Sequence, residues 1–282
     1  KRVWDQTASS GTPPQGYSYG KELIGQSQIL NDQTDNFSNE SHGTHVAGTA
    51  AGSGPNTNGL FTGVAPKADL VFVSTDIATT SVADAVNYIF NYASSVNKPC
   101  VINMSLGSKI GPKDGNSTLD RYFESITGQG KILVGACGNS GLDSIHIRKT
   151  FTATDSVLLT FIKFPDLPLK TNGVAVMDIW GTPNREYWTA VNIINTQTNQ
   201  FEDWTPYISS TSNSTHTETL QDGDVFSDDL DIQIATSIFP NNNKANTQVA
   251  IDHTDQDDNY RWAVLEVVAY SGTIDIWILG VL

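Results

Sequence analysis

His42 heads the run SHGTHVAGTAAG (residues 41–52), where a histidine is followed by small residues that suit a closely packed helix. An imidazole accepts a proton near neutral pH, so a histidine at a helix start can act as a general base. Ser105, Leu106 and Gly107 end the apolar run CVINMSLG, and Asn139 lies just past KILVGAC, behind Gly138. An asparagine amide can donate to an oxyanion as its charge develops. A strand end beside glycine leaves N–H and C=O groups that can pair with an extended peptide. Together a base, an oxyanion donor and a peptide-pairing strand are the parts for acyl transfer on a polypeptide.

Such groups must be held by regular elements. LVFVST (70–75), CVINMSLG (100–107) and KILVGACGNSG (131–141) are short apolar runs that predict buried strands. SVADAVNYIFNYASSVN (81–97) predicts a helix, with Ser81 and Asp84 spaced as a capping box. Val82, Val86, Ile89, Phe90, Ala93 and Val96 fall on its inward face. STLDRYFESIT (117–127) predicts another, with Ser117 and Asp120 at its start and Leu119, Phe123 and Ile126 inward. Apolar strands alternating with helices predict a parallel sheet covered on both faces, with ligands beyond the carboxyl ends of its strands. Beyond residue 142 the helical period disappears. VLLTFIKF, GVAVMDIWG, YWTAVNII, DLDIQIATSIF, TQVAIDH, YRWAVLEVVAY and TIDIWILGVL are short β-rich runs parted by Gly, Asn, Asp and Pro. They predict an antiparallel sandwich. The fold class is therefore α/β followed by all-β, with domains at 1–144 and 145–282.

The blocks SHGTHVAG, GVAPKADL, VINMSLG and GACGNSG resemble, in order, four consecutive blocks of the subtilisin-like serine proteases (subtilases, peptidase S8), across residues 40–141. That resemblance implies a Ser–His–Asp triad enzyme hydrolysing peptide bonds. It implies that His42 is the general base, with His45 packed below it, and that Asn139 is the oxyanion donor. Loss of such a donor costs roughly 3–4 kcal/mol in subtilisin itself. It further implies that Ser105, Leu106 and Gly107 form one wall of the substrate groove, with Ala136 to Gly138 on the other side. No cofactor is required by this chemistry. A polypeptide substrate and a secreted or cell-envelope bacterial location are implied with it.

Two triad members are not found by motif. The family's serine sits in a G-T-S-x-A block, and none occurs in these 282 residues. The family's aspartate ends an apolar strand before Thr or Ser and then Gly, whereas Asp5 is followed by Gln6 and Thr7. Asp5 is thus a weak candidate. VWDQTASSGTPPQGYSYGKE is similar to a segment that follows the aspartate block in bacterial subtilases carrying an inserted jelly-roll β-sandwich, germination proteases of spore-formers among them. By that likeness the aspartate lies upstream of Lys1 and the serine beyond residue 282. The chain is then an internal fragment, inactive alone, whose partners are the rest of the catalytic domain.

Bulk properties narrow the alternatives. The net charge is -14, with 9 Lys and Arg against 11 Asp and Glu in residues 1–141 and 7 against 19 in the remainder. Clustered cations for phosphate contacts are missing, which argues against nucleic acid. No apolar run is long enough to span a membrane, and KRVWDQTASS is not a signal peptide. Cys100 opens one strand and Cys137 closes its neighbour, about 20 Å apart at strand rise. A disulfide needs Cα atoms within about 7 Å, so two free thiols are expected. His42 and His45 with Glu40 lack zincin spacing. The acidic turns 222–231 and 252–259 offer carboxylates for calcium without a full calcium-loop pattern. Trp180, Trp188, Trp204, Trp262 and Trp277 could form a sugar platform, although aromatics at strand spacing are more often core. The rival readings are a non-catalytic pseudoprotease and a binding or adhesion module using the sandwich.

Overall fold

The computed structural model describes residues 1–32, 42–54, 58–162, 173–220, 230–253 and 261–279. The chain divides into two compact units. The first comprises Lys1–Leu106 and Leu119–Cys137, and the second Gly107–Thr118 and Gly138–Leu282.

The first unit begins with β1 (Arg2–Asp5), β2 (Lys21–Ile24), α1 (Gly25–Asn31) and α2 (His42–Ala51). It continues with β3 (Val71–Ser74), α3 (Thr79–Ser95), β4 (Cys100–Met104), α4 (Thr118–Ile126) and β5 (Lys131–Gly135). The three predicted strands are present, but they do not form one sheet. β3 pairs in parallel with β1, and β1 pairs antiparallel with β2, while β4 and β5 form a separate parallel pair. Periodicity in the sequence does not mark β1 or β2, and β1 is the partner that β3 takes.

α3 holds these pieces together. Val86 and Phe90 are buried with Ile102 of β4, and Phe123 and Ile126 of α4 pack beside them. Near the middle of the helix, Tyr88 joins a cluster around Trp4, which is fully buried with Tyr17, Tyr19 and Tyr88 rings 4.5, 5.3 and 5.1 Å away. Burying such rings supplies a large share of a small core. The α3 capping box is not formed as expected. The helix starts at Thr79, two residues earlier, and Asp84 instead accepts from the Tyr19 hydroxyl at 2.8 Å. Asp76 serves the helix start, taking the Ala78 N–H at 3.0 Å. Val96 is exposed because it follows the last helical turn as the C-cap.

The prediction of strands covered on both faces is also corrected. Ile102 and Leu133 lie under the helices, but the alternate residues Val101 and Ile132 are 65% and 53% exposed. Only one face of the β4–β5 pair is covered among the described residues.

The second unit contains β6 (His146–Phe151), β7 (Val157–Phe161), β8 (Gly173–Trp180), β9 (Trp188–Asn195), β10 (Gln200–Trp204) and β11 (Ile208–Ser209). β12 (Thr215–Leu220), β13 (Leu230–Phe239), β14 (Lys244–His253), β15 (Arg261–Val268) and β16 (Gly272–Leu279) complete it. All pairings are antiparallel. One sheet runs β12-β13-β14-β8-β16-β6, and the other runs β10-β9-β15-β7 with β11 beside β9. Alternate residues of both sheets meet in one core that includes Met177, Ile179, Ile234, Val249, Ile251 and Ile276 from the first sheet. Val191, Ile193, Leu265 and Val267 come from the second. Period-2 patterning explains this, since one face of each strand is apolar. The tryptophans are not part of that core. Trp204 is 59% exposed, and Trp180, though buried, lies on the outer face of its sheet beside Asp178.

Candidate active site

His42 is the first residue of α2 and is exposed. The small residues behind it have a specific use at the other end of the helix. The N–H groups of Gly63, Val64 and Ala65 donate to the carbonyls of Gly52, Thr49 and Ala50 at 2.7, 3.1 and 2.8 Å. The last carbonyls of a helix have no partner within it, so this segment caps α2. The approach is close. A Cβ on Gly63 would lie 2.5 Å from the Gly52 nitrogen and 2.6 Å from that of Ala51, so only glycine fits. The block GVAPKADL thus reads as the cap of the helix that starts at His42. Two expectations fail here. His45 is exposed rather than packed, and of α2 only Ala51 is buried. The close contact of α2 is with residues 63–65.

β4 and β5 bring two of the expected groove segments side by side. Their parallel register runs from Cys100 opposite Lys131 to Met104 opposite Gly135. The Ala136 N–H then donates to the Met104 carbonyl at 3.1 Å, extending the ladder by one residue. Ser105 and Ala136 therefore leave neighbouring strand ends. Ser105 is half-buried and accepts from the Asn103 amide at 3.1 Å, while Leu106 and Ala136 are exposed. Past Cys137 the chain enters the second unit at Gly138, whose φ of +85° is the left-handed region that glycine adopts without strain. Nothing crowds that position, so conformation alone accounts for the glycine. Asn139 follows, exposed. Gly107 also belongs to the second unit.

Asp5 is 2% exposed, and one of its carboxylate oxygens accepts both the N–H and the hydroxyl of Thr7, at 2.9 and 2.7 Å. That is an Asx turn closing β1, which gives this aspartate a local structural use. Both cysteines are free thiols, Cys100 partly buried and Cys137 exposed, and burial pushes the Cys100 thiol up from its ordinary value. Among the described residues no group of three or more His, Cys, Asp or Glu could hold a metal ion. Ser41, Glu40 and most of the two acidic turns lie outside the described residues.

A buried carboxylate in the second unit was not foreseen from sequence. Asp178 sits in the middle of apolar β8 and is 0% exposed. Its oxygens accept from the Gly111 N–H at 2.6 Å, the Trp180 indole N–H at 2.7 Å and the Asn246 amide at 2.8 Å. The signal was present in GVAVMDIWG, a lone charge inside an otherwise apolar strand.

Residues 22–221, more than half the chain, match the family model described as the subtilase family. The chain belongs to the subtilase family. It is 33% identical over 140 residues to a thermostable alkaline protease of Halalkalibacterium halodurans, covering 48% of this chain and 36% of that protein. It is 34% identical over 127 residues to thermitase of Thermoactinomyces vulgaris, covering 43% and 42%. The structure of the CspB protease of Clostridium perfringens is similar in fold, with a TM-score of 0.62 and 23% identity over 84% of this chain and 49% of that one. This subtilase chain thus spans less than half the length of these relatives. No helix among its described residues is long and apolar enough to cross a membrane.

Proposed function

We propose that this chain supplies the general base, the oxyanion donor and the groove strands of a subtilisin-like serine endopeptidase. His42 takes the proton of the attacking serine hydroxyl and returns it to the leaving amine. The Asn139 side-chain amide donates to the tetrahedral oxyanion. Ser105, Leu106 and Gly107 pair with the extended substrate, with Ala136 and Gly138 across the pocket. What supports this most is that the helix headed by His42 is capped by the second family block, while the third and fourth blocks leave adjacent parallel strands. No G-T-S-x-A block occurs in the 282 residues, so the serine comes from another part of the protein, and the aspartate with it. Asp5 acts as the turn residue. Residues 145–282 form a jelly-roll insert, and the enzyme works outside the cell or in its envelope.

The test uses a fluorophosphonate probe on the full-length protein and on this chain alone. The full-length protein is expected to be labelled at a serine outside this sequence, and the isolated chain is not. His42→Ala in the full-length enzyme is expected to lower kcat by about six orders of magnitude, the size of that loss in subtilisin itself. Labelling of a serine within these residues overturns the assignment of the nucleophile. A full-length protein that neither labels nor cleaves makes it a pseudoprotease.

A further inference from the structure

Asp178 poses a physical question. A buried carboxylate without a cation is costly unless several donors satisfy it. The three groups that donate most closely to Asp178, from Gly111, Trp180 and Asn246, are all neutral, as is the more distant Gln248 amide at 3.5 Å. Two of them, Trp180 and Asn246, are its neighbours on the same outer face of the six-stranded sheet. The third, the Gly111 N–H, belongs to the segment Gly107–Thr118, which crosses that face.

The same segment is held at further points. Lys244 of β14 bonds the Asp114 carboxylate at 2.5 Å. The Lys113 ammonium lies 5.9 Å from the ring centre of Trp277 on β16 and also donates to the Ser108 and Ile110 carbonyls, which closes the loop on itself. Pro112 is buried. The loop is therefore fastened to the sandwich by a backbone bond, an ion pair and a cation–π contact. Its first residue, Gly107, is also the last residue of the expected substrate-pairing segment, one peptide bond from Leu106.

We propose that Asp178 is a positioning residue for substrate binding. By fixing the Gly111 amide it anchors the loop that begins at Gly107 and so sets the path of Gly107, the last residue of the proposed substrate-pairing segment. This rests on the protease function proposed above. Each partner has a separate share. Trp180 and Asn246 orient the carboxylate, Asp178 holds Gly111, and Lys244 holds the far end of the loop. A strand displaced by about 1 Å can cost a hundredfold in rate, so small losses of anchoring are readable. The effect falls on substrates long enough to pair with the strand and spares those that only reach the reacting carbonyl.

The test compares the full-length enzyme with Asp178→Ala, Asp178→Asn and Lys244→Met on a tetrapeptide amide and a single-residue amide. Asp178→Ala is expected to raise KM for the tetrapeptide about tenfold, the scale of a lost hydrogen bond to a charged acceptor, with kcat and the single-residue KM changed less than about twofold. Asp178→Asn keeps an acceptor oxygen and is expected to recover part of that loss. Lys244→Met, at a partly exposed pair, is expected to fold normally and raise the tetrapeptide KM by about two- to threefold. Amide exchange of residues 108–116 is expected to quicken in the same order. Unchanged loop exchange, or equal losses on both substrates, overturns the positioning role while the wild type still cleaves. A wild type that cleaves neither peptide overturns the protease function itself and the positioning role with it.

Discussion

The two units differ in how far their strands are covered. In the second, two antiparallel sheets close on each other, and residues such as Leu265, Ile234 and Ile276 reach 0% exposure. In the first, α3 and α4 cover the β4–β5 pair on one side only among the described residues, and Val101, Ile132 and Val134 are exposed. The unit with the closed core carries Asp178 and the anchored loop. The less covered unit carries His42 and the strands β4 and β5, while Gly107, Gly138 and Asn139 fall in the second. The contrast implies that the β4 and β5 amides open more readily than those of the closed sandwich core.

The largest expected effect tests that contrast. Leu265→Ala removes a core side chain of the second unit and is expected to cost about 2–5 kcal/mol. Ile132→Ser changes an exposed position and is expected to stay within about 0.5 kcal/mol. Hydrogen exchange of β15 and β5 amides measures each unit separately. Equal losses would dissolve the distinction.

A smaller effect belongs to the cap on α2. Gly63→Ala is expected to destabilise the first unit by about 1–3 kcal/mol, as overpacking does. The amides of Gly63, Val64 and Ala65 should exchange faster, while those of the second unit stay unchanged. A neutral result would mean that the capping segment can withdraw, and the close fit would then be incidental.

The smallest effect is a pH dependence that separates two ion pairs. Burial raises the Asp114 carboxyl, but the hydrogen bonds and charge of Lys244, with Asn116, outweigh it and leave the group below its ordinary value. A depressed carboxyl stabilises the fold above its unfolded value of about 3.9, and that contribution disappears as pH falls through the lower folded value. Loop exchange in residues 108–116 should therefore rise in acid below about pH 4, by an amount worth up to about 1 kcal/mol. Asp69 of the first unit is likewise lowered by Lys98 and Lys1, but its side chain and those of its lysine partners are more exposed than the Asp114–Lys244 pair. Added salt should weaken its contribution more than that of Asp114. Equal salt sensitivity would remove the difference between the units at this level.

Much of the fold was legible because periodicity follows burial. The inward face of α3 from Val82 to Phe90 and the central strands β8, β9, β13, β14, β15 and β16 show it. β6 and β12 were missed because they lie at the ends of their sheet, where alternate positions are charged or polar, as in HIRKTF and THTETL. β1 and β2 were missed because each is four residues long, and their order depends on the tyrosines packed around Trp4. At the site, motif order located His42, Ser105 and Ala136 at element ends. Sequence could not reveal that Asp84 would serve Tyr19 instead of its own helix, since that choice depends on a partner 65 residues away. Nor could it reveal the donors of Asp178, which come from three separate segments.

Trp4 is the single tryptophan before residue 180, and the other five lie in the second unit. The intrinsic emission of this protein is therefore weighted toward the sandwich. A fluorescence melt would register the sandwich and leave the histidine-bearing unit nearly silent. Replacing the five later indoles with phenylalanine would turn Trp4, enclosed by three tyrosine rings, into an optical reporter of the first unit alone.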